Sequence, residues 1–403
     1  MSTVHRLTGA AYGTHFADQI ALVAVPLVAA LVFGASPELI GILVACQSMA
    51  RLIGSIPFGI LVDQQQLRTL AITSALASFV GFGGAALSTV FGSVIWFGAA
   101  ITLAGFGVVL FGLTALSILP RAVPPTALAK ANAAIEIPRA LCSFAVPLVI
   151  GVAVSDVPAW SIFSAACLGS LCALGLTATL PKFEVTPKQQ MSVFSGILEG
   201  GRYVLQHRLL LPISLCSVFW NLAFAALLVV LVSVIQDAFR FAPGSFGFSL
   251  SAFGLAAVLG SWLAGRLADR ISPAFVLLLG PGSSIVASGG LIMVGPDTSE
   301  VWLYACFFLL GFGPSMWLIA QNSVRQLVTP SEMLGRVNAV IQTAIYGIRP
   351  LGALVGGFIA GTLGPQAGLI FVVIAYALSF LVTVLSDLRS VRSYGALNHN
   401  KPI

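Results

Sequence analysis

Few ionisable side chains lie within the long apolar segments of this 403-residue chain, and those that do are spaced like residues on one face of a helix. An ionised side chain inside a membrane span costs roughly 2.5–3.5 kcal/mol to insert, so each one is a candidate for function. The ionisable candidates in the first half are His15, Asp18, Arg51, Glu136 and Arg139, with the polar residues Gln19 and Gln47 on the same helix faces. Carboxylates and imidazoles at such positions can carry protons, and arginines can hold anions.

Both carboxylates of the first half have an arginine within reach. Asp18 and Arg51 lie at similar distances from the predicted turn at Ser36, so they can pair between neighbouring antiparallel helices. Glu136 and Arg139 are one turn apart and can pair within one helix. The sequence leaves open whether each pair is structural or belongs to a cavity. Burial favours the protonated form of a carboxylate and a nearby arginine favours the ionised form, so we predict Asp18 and Glu136 as proton-coupling residues.

In the second half, Gln342, Tyr346 and Arg349 form a stripe at i, i+4 and i+7. The apolar segments of this half contain no carboxylate in their interiors, which makes Arg349 the sharpest substrate-site prediction. The alternative is a structural arginine that reaches across to Glu136. Three arginines against two carboxylates favour an anionic or zwitterionic cargo, because guanidinium pairs bidentately with planar anions. Pairing in three dimensions could reverse this balance.

The composition explains why these side chains stand out. The chain is 58% hydrophobic and 8% charged, and its mean hydropathy of +1.02 is too high for a soluble protein of this length. Since a spanning helix needs about 20 apolar residues, twelve segments qualify. They are residues 8–33, 39–62, 68–88, 93–119, 129–154, 158–180, 209–236, 245–266, 273–295, 301–323, 335–362 and 366–386. We therefore predict an all-α polytopic membrane protein.

Basic residues predict the orientation of these spans. If the N-terminus is cytoplasmic, nearly all Lys and Arg residues outside the spans fall on the cytoplasmic side, Arg325 among them, and only Arg240 falls outside. The net charge of +6 is explained in this way, since the basic residues do not form a nucleic-acid footprint. We predict a plasma or inner membrane protein with both termini in the cytoplasm.

The chain also repeats itself. Asp63 and Asp269 are 269 − 63 = 206 residues apart, and the same offset relates Pro124 to Pro330 and Asn132 to Asn338. Three anchors in one register indicate two pseudo-symmetric six-helix bundles, as in secondary transporters. The predicted domains are residues 1–180 and 209–403, joined by a linker at 181–208. That linker is either a short interfacial helix, with Phe194, Ile197, Leu198 and Val204 as its apolar stripe, or a plain tether.

The repeated turns carry a resemblance to a known family. Gly59-Ile-Leu-Val-Asp63 and Gly265-Arg-Leu-Ala-Asp269-Arg270 are similar to the turn motif of the major facilitator superfamily. The string Pro330-Ser-Glu-Met-Leu-Gly-Arg-Val-Asn-Ala339 resembles its drug and siderophore exporter branch, which contains enterobactin exporters and macrolide efflux proteins. The resemblance implies alternating access of two bundles around a central cavity. It also implies export of a small amphipathic molecule in exchange for protons.

In the resembled family, each turn aspartate docks on a helix start and closes the cytoplasmic side. The gate residues that this implies here are Gly59, Asp63, Arg68, Arg121, Gly265, Asp269, Arg270 and Arg336. One departure concerns the first copy, where three glutamines at 64–66 stand in place of basic residues. The alternative for both copies is a well-capped loop without a gating role.

The family's cavity is lined by its first, seventh and tenth helices, which adds four residues to the predicted substrate cavity. These are Trp220, Asn221, Trp317 and Gln321, for which packing or lipid contact is the alternative. With them, the predicted cavity comprises His15, Gln19, Arg51, Arg139, Trp220, Asn221, Trp317, Gln321, Gln342, Tyr346 and Arg349.

Other classes of function find little support in the sequence. It contains no phosphate-binding loop, no nucleophile-elbow string and no paired cysteine or histidine spacing. We therefore predict no enzyme activity, no metal, no cofactor and no nucleic-acid partner. The predicted partners are a small-molecule substrate, protons and the lipid bilayer, with the chain as a monomer. The rival functions are multidrug efflux of neutral or cationic compounds and a transport-inactive membrane receptor or scaffold.

Overall fold

The chain folds into long helices. The computed structural model describes residues 2–124, 128–183, 193–267, 270–330 and 333–397. Within these ranges all regular elements are helices, and twelve of them are long and apolar enough to cross a membrane. The predicted all-α class and its twelve spans are confirmed, and the chain is a multi-pass membrane protein.

Thirteen α-helices of the described chain carry the fold. They are α1 (Thr3–Leu31), α2 (Pro37–Gln64), α3 (Leu67–Phe91), α4 (Val94–Ala122), α5 (Leu128–Ala153), α6 (Ala159–Ala178), α7 (Val193–Gln206), α8 (Leu210–Ser233), α9 (Gly244–Leu267), α10 (Pro273–Ile292), α11 (Glu300–Val328), α12 (Leu334–Leu363) and α13 (Pro365–Leu385). A π-helical turn, Val234–Phe239, extends α8, and two 3₁₀ turns, Asp387–Ser390 and Tyr394–Leu397, follow α13.

Several helices begin or end at capping residues or prolines, not where the apolar segments begin or end. The Ser2 hydroxyl accepts a hydrogen bond from the His5 N–H and so caps α1. α11 continues past the predicted end at residue 323 and stops at Val328, because Thr329 precedes Pro330 and takes an extended conformation. This extension places Arg325 within α11, where the sequence had placed it beyond the span.

The helices group into two compact units. One comprises Met1–Gln189 with Ala242–Ser251, and the other comprises Gln190–Phe241 with Ala252–Ile403. The start of α9 belongs to the first unit because it packs on α5, where the Ser251 hydroxyl donates to the Phe144 carbonyl at 3.1 Å. α7, which lies in the predicted linker, belongs to the second unit.

Close packing between α3 and α4 organises the core of the first unit. A Cβ added at Gly81 would lie 2.5 Å from the backbone nitrogen of Ala104, so glycine is required for the two backbones to approach this closely. Phe111 and Ile118 of α4 are buried in the same core. In the second unit, Ile213 of α8, Leu277 of α10 and Val324 of α11 are buried together.

The linker helix α7 docks on the second unit. The Arg336 guanidinium donates to the Glu199 carboxylate at 2.6 Å, and the Tyr203 hydroxyl donates to the Val328 carbonyl at 3.0 Å. Burial raises the pKa of the Tyr203 phenol, which therefore stays protonated and able to donate. These contacts fix α7 to the end of α11 and the start of α12, so this part of the linker is not a plain tether.

The predicted apolar stripe of this helix divides between two surfaces. Val204 is 3% exposed and packs in the core of the second unit, whereas Leu198 and Leu205 are 66% and 67% exposed. Leu198 and Leu205 are seven residues apart and share one face, which suits the membrane interface. The side chains of Phe194 and Ile197 lie outside the described residues.

We expect the docking of α7 to depend on glycine at position 200. A Cβ there would lie 2.9 Å from the backbone of Arg336, whereas a Cβ at Gly201 would meet nothing within 4 Å. Gly200→Ala should therefore lower the Tm of the purified protein and expose α7 to trypsin, since overpacking costs about 1–3 kcal/mol. Gly201→Ala is the matched control and should be neutral or slightly stabilising, because alanine favours a helix over glycine by up to about 1 kcal/mol. Equal behaviour of the two variants would mean that α7 is not held by this contact.

Candidate functional site

α1 places three of the predicted side chains on one face. His15, Asp18 and Gln19 lie half-buried in its middle, and α1 packs against both α2 and α5. The Arg51 guanidinium of α2 meets the Asp18 carboxylate with distances of 2.8 and 3.0 Å from Nη2 to its two oxygens. The two side chains are 32% and 18% exposed, so much of this pair is removed from water. The structure thus contains the Asp18–Arg51 ion pair that the sequence allowed. Whether this pair also borders a cavity stays a prediction.

A second ion pair lies on α5. Arg139 Nη2 and Glu136 Oε2 are 2.7 Å apart, one helical turn from each other, and the side chains are 61% and 56% exposed. An intrahelical pair of this exposure stabilises a helix by only about 0.2–0.5 kcal/mol. Both residues lie in the fifth span, Ala134–Ala153. Lipid cannot solvate such charges, so this exposed pair requires water or other protein groups beside it.

His15 lies close to both ion pairs. The charges of Asp18, Arg51, Glu136 and Arg139 all act on its imidazole. We call these five residues the first-unit charge cluster. Its two carboxylates and two guanidiniums are equal in number, so the two ion pairs together carry no net charge when all four groups are ionised.

In the second unit, the predicted aromatic residues of α8 are held by specific contacts. The Trp220 indole N–H donates to the Ser284 hydroxyl of α10 at 3.0 Å, and the ring stacks on Phe224 with centroids 5.1 Å apart. Tyr376 of α13 lies on another side of this indole, at 6.0 Å between centroids. The Asn221 amide donates to the Ser217 carbonyl of its own helix at 2.9 Å. These contacts give Trp220 a packing role within the second unit, and its role in substrate binding stays a prediction.

The predicted stripe on α12 forms a continuous helical face. Gln342 is exposed, and Tyr346 and Arg349 are half-buried. All three belong to one unbroken helix, so their spacing at i, i+4 and i+7 aligns them as the sequence predicted. Their role in binding substrate remains a prediction.

α11 contains a polar face that the sequence revealed only in part. Trp317 and Gln321 were predicted, and both are buried. Arg325 follows at i+8 and is only 8% exposed. Its guanidinium donates to the Asn322 side-chain oxygen at 2.7 Å, and the Gln321 amide donates to the same oxygen at 2.7 Å. The sequence contained a signal for Arg325, because it follows Gln321 by four residues, as Gln321 follows Trp317. The span predicted at 301–323 ended two residues before it.

The first predicted gate is only partly visible. The side chains of Gly59 and Asp63 lie outside the described residues, although the backbone of both belongs to α2. Arg68 donates to the Ala178 carbonyl at the C-terminal end of α6 at 2.6 Å, so it satisfies a helix end within its own unit. Arg121 is exposed in the last turn of α4. The gate itself stays a prediction.

The second predicted gate is also only partly covered by the described residues. Asp269 lies outside the described residues, and Arg270 is exposed. Gly265 belongs to α9, and a Cβ at this position would meet nothing within 4 Å, so close packing does not require glycine there. Arg336 bonds to Glu199 of α7, a long-range contact that the sequence did not reveal.

Metal chemistry finds no support in the part of the chain that the structure describes. Three or more His, Cys, Asp or Glu side chains do not cluster there in a way that could hold an ion. The carboxylates Asp18 and Glu136 in the interiors of the described spans form ion pairs with Arg51 and Arg139.

Comparison with known proteins agrees with this geometry. Residues 7–352 match the family model of the Major Facilitator Superfamily. The chain is 26% identical over 361 residues to the enterobactin exporter EntS of Salmonella choleraesuis (strain SC-B67), covering 88% of this chain and 85% of that protein. It is 25% identical over 335 residues to EntS of Escherichia coli O127:H6 (strain E2348/69 / EPEC), covering 81% and 78%.

Solved structures agree on the fold. The nucleoside transporter NupG superimposes with a TM-score of 0.77 at 15% identity, covering 95% of this chain and 99% of that one. A D-xylose-proton symporter gives a TM-score of 0.71 at 13% identity, covering 98% and 99%. The predicted family resemblance is confirmed: the chain belongs to the Major Facilitator Superfamily and is a membrane transporter of that fold.

Proposed function

We propose that this transporter exports a small amphipathic anion or zwitterion of the siderophore type, by alternating access and in exchange for protons. Its named relatives are enterobactin exporters, which supports export of a siderophore-like cargo. The basic residues support an orientation with both termini in the cytoplasm of an inner or plasma membrane. In that orientation α1 enters from the cytoplasmic side.

The observation that carries the choice of cargo is the pairing of the carboxylates. Asp18 and Glu136 are each bound to an arginine of the same unit. A pocket for lipophilic cations would be expected to keep a carboxylate uncommitted within the membrane. The interiors of the described spans offer none besides these two, since Glu38, Asp237 and Glu300 lie at span ends. In the second half, Arg349 shares a helix face with Tyr346. A guanidinium beside an aromatic ring suits a planar anion with an apolar body.

Proton coupling is proposed to run through the first-unit charge cluster. A proton that arrives at Asp18 or Glu136 weakens the pair with arginine and leaves a net positive charge in the unit. Such a charge favours binding of an anion, whereas loss of the proton restores the pair. Exchange of a proton for cargo between the two states is the cycle that an antiporter requires.

We expect Asp18→Asn to abolish flux that is driven by a pH gradient, because the variant cannot exchange a proton at this position. The measurement is transport of 2,3-dihydroxybenzoate, a catechol carboxylate, in proteoliposomes with an imposed pH gradient. Asp156→Asn, in the exposed loop after α5, is the matched control and should transport as the wild type does. Undiminished gradient-driven flux in Asp18→Asn would remove this residue from the coupling role.

We further expect Arg349→Gln to separate anionic from cationic cargo. Loss of a charge-assisted hydrogen bond, worth about 1.5–3 kcal/mol, should weaken the apparent affinity for 2,3-dihydroxybenzoate by about 10- to 100-fold. Transport of a cationic dye by the same variant should stay within twofold of the wild type. Arg389→Gln, exposed after α13, controls for the change in net charge. A wild type that moves only the cationic dye would favour multidrug efflux instead.

A further inference from the structure

The polar face of α11 contains buried groups that the proposed cycle has not yet used. Trp317, Gln321 and Arg325 lie at i, i+4 and i+8 and are 8%, 4% and 8% exposed. Among the described residues, no hydrogen-bond partner exists for the indole nitrogen of Trp317, the side-chain oxygen of Gln321 or Nε of Arg325. Buried polar atoms of folded proteins are nearly always satisfied, so three unsatisfied ones on a single helix face require an explanation.

Among these groups, Arg325 has the burial that most needs an explanation, because its side chain is charged. An arginine at the end of a helix is favourable because the helix dipole is negative there, but this interaction does not require burial. Arg266 illustrates the difference: it occupies the last turn of α9, is exposed, and lies 4.1 Å over the Trp262 ring. Arg325 is instead buried, and no ion pair of the described chain includes it. Within the described ranges, its guanidinium bonds only to the neutral Asn322 oxygen and meets no carboxylate.

The side chains around Arg325 are arranged to hold it in place. The Asn322 oxygen accepts from both the Gln321 amide and the Arg325 guanidinium, each at 2.7 Å. Trp317 is fixed from the other side, because a Cβ on Gly280 of α10 would collide with its side chain. A buried cation, a fixed amide and an aromatic ring along one face match an anion that has an apolar body.

We propose that Trp317, Gln321 and Arg325 form an anion-binding face, at which the Arg325 guanidinium holds a planar carboxylate- or catecholate-type oxyanion of the cargo. This inference rests on the proposed function, since it names where that anion binds. Trp317 and Arg325 are separated by eight residues, or about 12 Å along the helix, so one small anion reaches only part of this face. In the proposed orientation the Arg325 end of α11 is cytoplasmic, which is where an exported anion enters.

The test compares ligand-induced thermal shifts of the full-length protein in detergent. The probes are 2,3-dihydroxybenzoate and its neutral amide, which differ in charge at nearly equal shape. The wild type should be stabilised by the acid and not by the amide, because a ligand that binds only the folded state raises Tm. Arg325→Gln should lose this shift, with an affinity about 10- to 100-fold weaker, and Arg325→Lys should retain part of it. Arg266→Gln should behave as the wild type.

Several outcomes would overturn the assignment. An acid-dependent shift that survives in Arg325→Gln, that disappears equally in Arg266→Gln, or that is absent from the wild type would each do so. If Arg325→Gln does not fold, Asn322→Leu decides the question. It retains the guanidinium and removes its neutral acceptor, so binding of the acid should strengthen, whereas unchanged or weaker binding contradicts the proposal.

Transport measurements distinguish a failure of this inference from a failure of the proposed function. Transport of 2,3-dihydroxybenzoate that proceeds unchanged in Arg325→Gln would refute the binding face and leave the exporter proposal standing. Arg325-dependent binding without any outward flux in the wild type would refute the exporter proposal and leave the binding face standing.

Discussion

An ionised side chain inside an apolar helix bundle must find a partner, because neither lipid nor packed hydrocarbon can replace the water that it loses. This constraint connects most of the features of the protein. Asp18 is tolerated in the middle of α1 because Arg51 of α2 contacts both of its oxygens. Removal of either partner would leave a largely buried charge, a change that costs about 3–5 kcal/mol when burial is complete. The pair therefore fixes how α1 and α2 face each other.

The same constraint makes α1 the central element of the first unit. One face of this helix presents His15 and Asp18; α2 supplies Arg51 to Asp18, and α5 carries the Glu136–Arg139 pair. The pair on α5 differs, since Glu136 and Arg139 are more than half exposed and need surroundings other than lipid. One half-buried pair and one more exposed pair thus give a cluster whose members differ in their contact with water. This difference is consistent with the coupling role that we propose for the cluster.

In the second unit, polar side chains are satisfied mainly by hydrogen bonds and aromatic packing. Its polar groups lie among aromatic rings and serines, as where Trp220 bonds to Ser284 and stacks on Phe224. α7 is held against this unit by the Glu199–Arg336 pair and by the hydroxyl of Tyr203. The ends of α11 and α12 are thus fixed by a helix that lies outside the spans. On α11 itself, Arg325 is buried and forms no ion pair with the residues that the structure describes, whereas Arg266 of α9 is exposed.

The sequence alone determined the class, the number of spans and the family, because these depend on composition, on apolar length and on short motifs repeated at a fixed offset. It also determined which side chains share a helix face, since that follows from helical spacing. Tertiary structure decided which charges meet. Whether Asp18 pairs with Arg51, whether Arg336 meets Glu199 and whether Arg325 is buried all depend on contacts between residues that are distant in sequence or on where a helix ends. Such contacts are set by the packing of whole helices, which local spacing does not encode.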